Sequence, residues 1–363
     1  MDPVNIEVAI WKTVVARKVL QYSSLCDGCS FKTPDKHCVM CWLTDRYVSQ
    51  GEWKILVMGR KFVNEEVNHT YQRTVFGFNV FYEVEDYLVY YTVFSVMSVR
   101  YGITVYGLCL MIDHLHSLVS ASNATLFSKF ISNVTIQFVK EFNKARRRSG
   151  PLFCENFGSA PKLGMKLLRT AIAYLFNNPV ERFLWKYAQE YRWNFLAYAE
   201  SDHPFSEPIV LRNASRRLRN AIKEVDGTAA RNRHLTYVQL KRLLKGLDRR
   251  ERNQLIDYII VRYNVIRYDI LTTKCYDGYE NMLIAINSNT GSEYEIREQK
   301  WSRSDTEYRE LYQHVHSCGY DDAGDIISLD TDTKLTLMMD MMHKTKASKL
   351  QISKYLHLAV MLK

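Results

Sequence analysis

Proline and glycine are scarce in this chain, 7 and 15 among 363 residues, which excludes collagen-like and low-complexity classes. Apolar runs are short: none approaches the roughly 18–20 residues of a membrane-spanning helix. The opening segment, MDPVNIEVAIWK, has no basic stretch leading into an apolar one. No export signal is therefore expected, and the protein is read as soluble and cytoplasmic, without a membrane partner. In that compartment its eight cysteines are reduced thiols or metal ligands rather than disulfides. There is no glycine-rich phosphate loop and no internal repeat. What remains is a 47% hydrophobic composition, enough to bury a core. The length suggests two domains with a small appendage.

The charge is lopsided. Of a net +10, a net +9 lies between Arg212 and Arg252, where thirteen Lys and Arg face only Glu224, Asp226, Asp248 and Glu251. Leu218, Ile222, Leu240, Leu243, Leu244, Leu247, Leu255, Ile256 and Ile259 recur there at helical spacing, which predicts basic amphipathic helices. Such a face can simply be solvated. Concentrated this strongly it suits a phosphate-tracking surface, with Arg216 and Arg217 as candidate DNA contacts. Arg146, Arg147 and Arg148 are either a second DNA contact or a basic helix C-terminus favoured by the macrodipole.

Along the chain, residues 1–52 combine a helix over 5–20 with a Cys-rich stretch. Strands are predicted at 53–58 and 66–75, an amphipathic aromatic helix at 86–101, and a strand pair over 103–120 interrupted at Asp113-His114. Phe127, Phe130, Ile131, Val134, Phe138 and Phe142 space a long helix over 125–148, stopped by Gly150-Pro151. Another helix runs from about 162 to 178 and is predicted to end before Pro179, because the residue preceding a proline disfavours helical geometry. Strands and helices interleaved in this way make 53–200 an α+β sandwich. Residues 201–330 read as the basic helical region, and 331–363 as a helix-turn-helix.

Two constellations can carry chemistry. In His114-Leu115-His116, residues i and i+2 of a strand project from one face, so two neutral imidazoles can share a metal ion. A structural pair fits the same spacing. His314-Val315-His316 is a decoy: at helical spacing its two rings lie about 200° apart. In AIAYLFNNPVER, Tyr174 and Asn178 stand one helical turn apart and share a face, although a tyrosine bordering a core has the same spacing.

Taken together these segments resemble a known family. IDHLHSLVSA resembles the His-hydrophobic-His strand of single-tyrosine HUH transposases, and AYLFNNPVER resembles the Tyr-x-x-x-Asn-Pro-Val signature of the REP-associated tyrosine transposases. VNHTYQRTV, GPLFCENF and YRWNFLAY resemble that family's first strand, the loop before its tyrosine helix and its domain tail, in the same order. The match covers about 53–200. It departs from the pattern at Asp113, where Asn is usual, and at Asn194-Phe195, where serines are usual. The resemblance implies a ferredoxin-like antiparallel sheet with helices, followed by a mainly helical C-terminal region. It implies Mg²⁺ or Mn²⁺ on His114, His116 and Asn178, and attack by Tyr174 on single-stranded DNA to form a 5′-phosphotyrosine. The implied substrate is a hairpin-bearing repeat end. Transposases of this kind include dimers that exchange tyrosines, so a homodimer is compatible with it. A relaxase or replication initiator would share the two histidines, and a catalytically silent, domesticated DNA-binding regulator is the alternative from another class.

Two further metal and DNA features are expected. Cys26-x-x-Cys29 and Cys38-x-x-Cys41 form two knuckles eight residues apart, a spacing that suits a structural zinc with four thiolates, His37 being able to replace one. In KASKLQISKYLHL, Leu350, Ile352, Leu356 and Leu358 are expected to be buried. Ser348, Lys349, Gln351 and Lys354 are expected to face DNA.

Overall fold

The computed structural model describes residues 61–154, 157–288 and 305–359. The predicted helix over 5–20, the strand at 53–58 and the quartet Cys26, Cys29, Cys38, Cys41 lie outside the described residues. Four antiparallel strands, β1 (Asn68–Arg73), β2 (Thr104–Leu110), β3 (His114–Ser120) and β4 (Gly158–Pro161), form one sheet in the order β2-β3-β1-β4. Helix α1 (Val84–Tyr101) joins β1 to β2, and α2 (Ala124–Ala145) joins β3 to β4. The architecture is α+β and, over the described chain, mostly helical.

Strand alternation divides the molecule into layers. Leu115 and Val119 of β3 enter a core with Phe94 of α1 and with the predicted phenylalanine stripe of α2. Leu118 faces the other way, with Cys109, and packs under helix α3 (Gly164–Glu181) through Ile172, Leu175 and Phe176. Gly107 lets α3 approach β2: a Cβ there would lie 3.2 Å from a Leu175 methyl.

Two local expectations are corrected. Helix α3 does not end before Pro179 but runs through it to Glu181. Proline removes one N–H near the helix end, where the C-terminal turn closes around it through Arg182 N–H to Asn178 O, at 3.2 Å, and Leu184 N–H to Pro179 O, at 2.9 Å. Helix α1 is not amphipathic; it is buried almost all round from Glu85 to Ser98. Its second face is covered by the basic segment, which folds as α4 (Arg216–Ala230), α5 (Tyr237–Leu244) and α6 (Arg249–Arg262). Leu218, Leu240, Leu255 and Ile259 join the core of α1 and α2.

Arg146 is not a surface residue. It is wholly buried, donating to Asp86 at 2.7 Å, Glu83 at 3.2 Å and Asp322 at 2.5 Å. Burial works against its charge, but the carboxylates of Asp86 and Glu83 outweigh that and hold it ionised. Asp86 is the counterpart hub: it also accepts from the Tyr237 hydroxyl at 2.7 Å and from the amides of Tyr82 and Glu83. The cluster ties α1, α2 and α5 to the C-terminal helices.

Those helices are α7 (Tyr279–Ser288), α8 (Glu307–Ser317), α9 (Ala323–Ile327), α10 (Thr331–Lys344) and α11 (Lys349–Tyr355). Helix α11 seats on the connection between β1 and α1. Tyr82 donates its hydroxyl to Tyr355 O at 2.7 Å, His357 bonds Asn79 O at 2.8 Å, and the His357 ring stacks on Phe78 at 4.6 Å. Gly77, at φ +67°, is where this connection passes against the Lys354 side chain; a Cβ there would lie 3.0 Å from it.

Two outcomes follow. Replacing Arg146 by Met leaves Asp86 buried without its counter-charge, and urea unfolding should register a loss of about 3–5 kcal/mol. Burial holds His357 neutral, lowering its pKa to about 3 despite its bond to Asn79 O. Its contribution is therefore complete above about pH 6.5 and declines as pH falls toward 3. The fall steepens by up to about 1.4 kcal/mol per pH unit. Thermal unfolding of His357→Gln across that window should show a shallower fall than the parent, and parallel curves would contradict the assignment.

Candidate active site

The face of β3 that carries Leu118 also carries His114 and His116, and it is the face on which α3 lies. Because Pro179 does not end the helix, Asn178 stays one turn from Tyr174. The four residues predicted from sequence meet beneath α3, all nearly buried. The Tyr174 ring stands edge-on to His116, with centroids 5.4 Å apart. Asn178 Oδ1 lies 3.4 Å from His114 Nε2.

A fifth member escaped the sequence reading. His69 of β1 sits on the same face, its Nε2 3.0 Å from His116 Nδ1, its ring stacked on His116 at 5.1 Å and edge-on to Tyr174 at 5.7 Å. The signals were its place in a predicted strand and in VNHTYQRTV; nothing in the sequence gives the register that sets β1 against β3, with Tyr71 opposite His116 and Arg73 opposite His114. Burial, reinforced by the charge of Lys162, lowers the His69 pKa to about 3. Burial also lowers His116 well below the usual histidine range, with the charges of His114, His69, Arg73 and Arg182 adding to it. Both rings are neutral.

Asp113, the departure from the family pattern, has two partners. One carboxylate oxygen is 2.6 Å from His114 Nδ1 and the other 3.2 Å from Lys354 Nζ of α11. Burial works to raise the Asp113 pKa. The His114 hydrogen bond and the charges of His114, Lys354 and Arg182 prevail and hold the carboxyl well below its usual range. His114 Nε2 faces the amide oxygen of Asn178. A ring nitrogen and an amide oxygen 3.4 Å apart, with the neutral His116 imidazole beside them and an outer carboxylate fixing the His114 ring, fit the ligand set of a divalent cation. Outside the histidines a cleft of about 450 Å³ is lined by Arg73, Thr74, Asp113, His114, Arg182 and Lys354 among others. Tyr174 and His116 do not line it.

The other predicted DNA contacts are distributed differently. Arg216, Arg217 and Lys349 are exposed. Arg147 is exposed and ion-paired with Asp325 at 2.9 Å, while Arg148 donates to Asn143 and to Pro151 O. Gln351 is buried, within the capping box that Ser348 makes at the start of α11. Lys354 points into the cleft, because α11 turns that face toward the sheet. Asn194, the second departure, is a buried link: its amide donates to Phe176 O at 3.0 Å and Ala188 O at 2.6 Å.

No protein-family model and no curated protein matches the sequence. Among solved structures, a REP-associated tyrosine transposase bound to a REP hairpin is similar at 12% identity and a TM-score of 0.33. The alignment covers 37% of this chain and 79% of that one.

If the His69–His116 hydrogen bond holds the site, His69→Leu should lose about 1–3 kcal/mol more stability than His69→Gln, which keeps polar atoms at similar volume. Equal losses in denaturant titrations would show that the pair contributes nothing.

Proposed function

We propose that this chain is a single-tyrosine transposase of the HUH type, related to the REP-associated tyrosine transposases, which cuts and rejoins single-stranded DNA at hairpin-forming repeats. The observation that carries the reading is the meeting of Tyr174, His116, His114 and Asn178 on one buried face, from a strand and a helix some 60 residues apart in sequence. The sequence of elements, strand-helix-strand-strand-helix-strand with order β2-β3-β1-β4, supports a ferredoxin-like core.

In this reading Tyr174 is the nucleophile. Its oxygen attacks the scissile phosphorus, the 3′ oxygen leaves with a proton, and the DNA 5′ end remains on the tyrosine as a phosphodiester. A DNA 3′-OH reverses the step without an external energy source. His114, His116 and Asn178 would hold Mg²⁺ or Mn²⁺, which when bound supplies Lewis-acid polarisation of the phosphate. Asp113 orients the His114 ring, and His69 orients His116. Arg73, Arg182 and Lys354 in the cleft receive the flanking phosphates. Exposed Arg216 and Arg217 extend a basic face along which DNA can run. One observation favours a second reading, a silent DNA-binding regulator: Tyr174 is only 4% exposed and does not line the cleft.

Incubation with single-stranded hairpin DNA and Mn²⁺ separates the two. The transposase reading expects a covalent protein–DNA adduct on denaturing gels. Tyr174→Phe should lower cleavage by at least about a thousandfold while binding changes little. Binding without an adduct favours the regulator, and cleavage undiminished in Tyr174→Phe would refute the nucleophile.

A further inference from the structure

The decoy histidines diverge as expected on α8, His316 toward Asp321 at 3.6 Å and His314 toward α10. His314, however, is not alone. Cys318 follows it by four residues, one helical turn on and at the end of α8, with its Sγ 3.7 Å from His314 Nε2. Asp340 of α10 brings Oδ2 to 2.7 Å from the same nitrogen. The three ligand atoms all lie within 4.8 Å of one another. We infer that His314, Cys318 and Asp340 form a site for a thiophilic divalent metal of the zinc class, separate from the two histidines of the sheet.

The donor set selects the ion. Imidazole nitrogen, thiolate and one carboxylate oxygen suit tetrahedral Zn²⁺ or its Co²⁺ surrogate, whereas Mg²⁺ and Ca²⁺ prefer all-oxygen shells. Bond lengths near 2.0–2.3 Å place neighbouring ligand atoms of such a tetrahedron roughly 3.3–3.7 Å apart. The nitrogen–sulfur separation already matches. The nitrogen–oxygen pair, a hydrogen bond without metal, has to open by roughly half an ångström as the ion replaces the shared proton. Asp340 is prepared for one-oxygen ligation because its Oδ1 is occupied by Lys344 at 2.9 Å. The thiol is reduced and exposed, so an ion can reach it. Binding displaces the thiol proton and, where Nε2 carries it, the imidazole proton.

Three protein ligands leave a fourth position for water or an outside donor. The ion would clip α8 to α10 at the edge of the core that Leu311, Val315, Leu337, Met338 and Met341 already share with Ile352 and Tyr355 of α11. It would thus fix the base on which Lys354 is presented to the cleft.

The full chain, stripped with chelator and reloaded, is the material for the test. Elemental analysis after zinc loading should find one equivalent more in the parent than in Cys318→Ser or Asp340→Asn. Titration with Co²⁺ should give a thiolate charge-transfer band that is weaker by one thiolate in Cys318→Ser. Thermal unfolding in chelator should be alike for the parent and Cys318→Ser, since Cys318 is exposed. His316→Ala should bind as the parent does. Metal content and cobalt spectra unchanged in Cys318→Ser would overturn the site, as would loss of the same equivalent in His316→Ala. Any zinc bound elsewhere in the chain would be common to every variant and cancel in the differences.

Discussion

Every feature of the candidate site depends on the period-two alternation of β3. As a central strand it is buried on both faces, so each residue is committed to one layer or the other. Leu115 and Val119 go to the layer of α1 and α2, while His114, His116 and Leu118 go beneath α3. A slip of one residue would drive two imidazoles into a phenylalanine core and expose two aliphatic side chains to α3. Burying imidazoles is tolerable only when they are neutral and hydrogen-bonded. The neighbouring strand supplies that condition through His69, and the turn before β3 supplies it through Asp113. The sheet therefore fixes which ring nitrogens face outward and which remain for a ligand.

What could be read from sequence was whatever is encoded locally. The phenylalanines of α2, the strand pair around Asp113-His114 and the basic helices each carry their own periodicity, and each formed where that periodicity indicated. Helix α1 misled because periodicity records which residues are apolar, not how many neighbours will arrive. Two of its small polar positions, Thr92 and Ser98, are buried by bonding to backbone or to the α5 connection. Pro179 misled for the opposite reason. A local steric preference of modest size gave way to the packing of α3 on the sheet, and the helix kept Asn178 in phase with Tyr174.

The long-range partnerships were not legible. His69 joins the site only through strand register, and Arg146 finds carboxylates 60 and 176 residues away. In sequence Arg146 looks like its neighbours Arg147 and Arg148, yet it ends wholly buried while Arg147 stays in solvent. A guanidinium with several donors can satisfy three acidic groups at once, which suits it to an interior junction between elements. The same limit applies to Asp113. Read against a family pattern it is a departure; in three dimensions it matches a lysine 241 residues later.

That match bears on how charge is distributed around the site. The interior donors His69 and His116 are neutral, whereas the formal cations Arg73, Arg182 and Lys354 stand at the cleft. In the proposed function, an ion on imidazole and amide ligands would keep its charge for a phosphate, and the cations outside that shell would attract a DNA strand without competing for the metal. Asp113 is the necessary exception. Placed directly on a metal it would neutralise the ion, but one atom shell out it orients His114 and balances Lys354. The C-terminal helix, through that single lysine, thus enters the electrostatics of a sheet that the chain completed some 190 residues earlier.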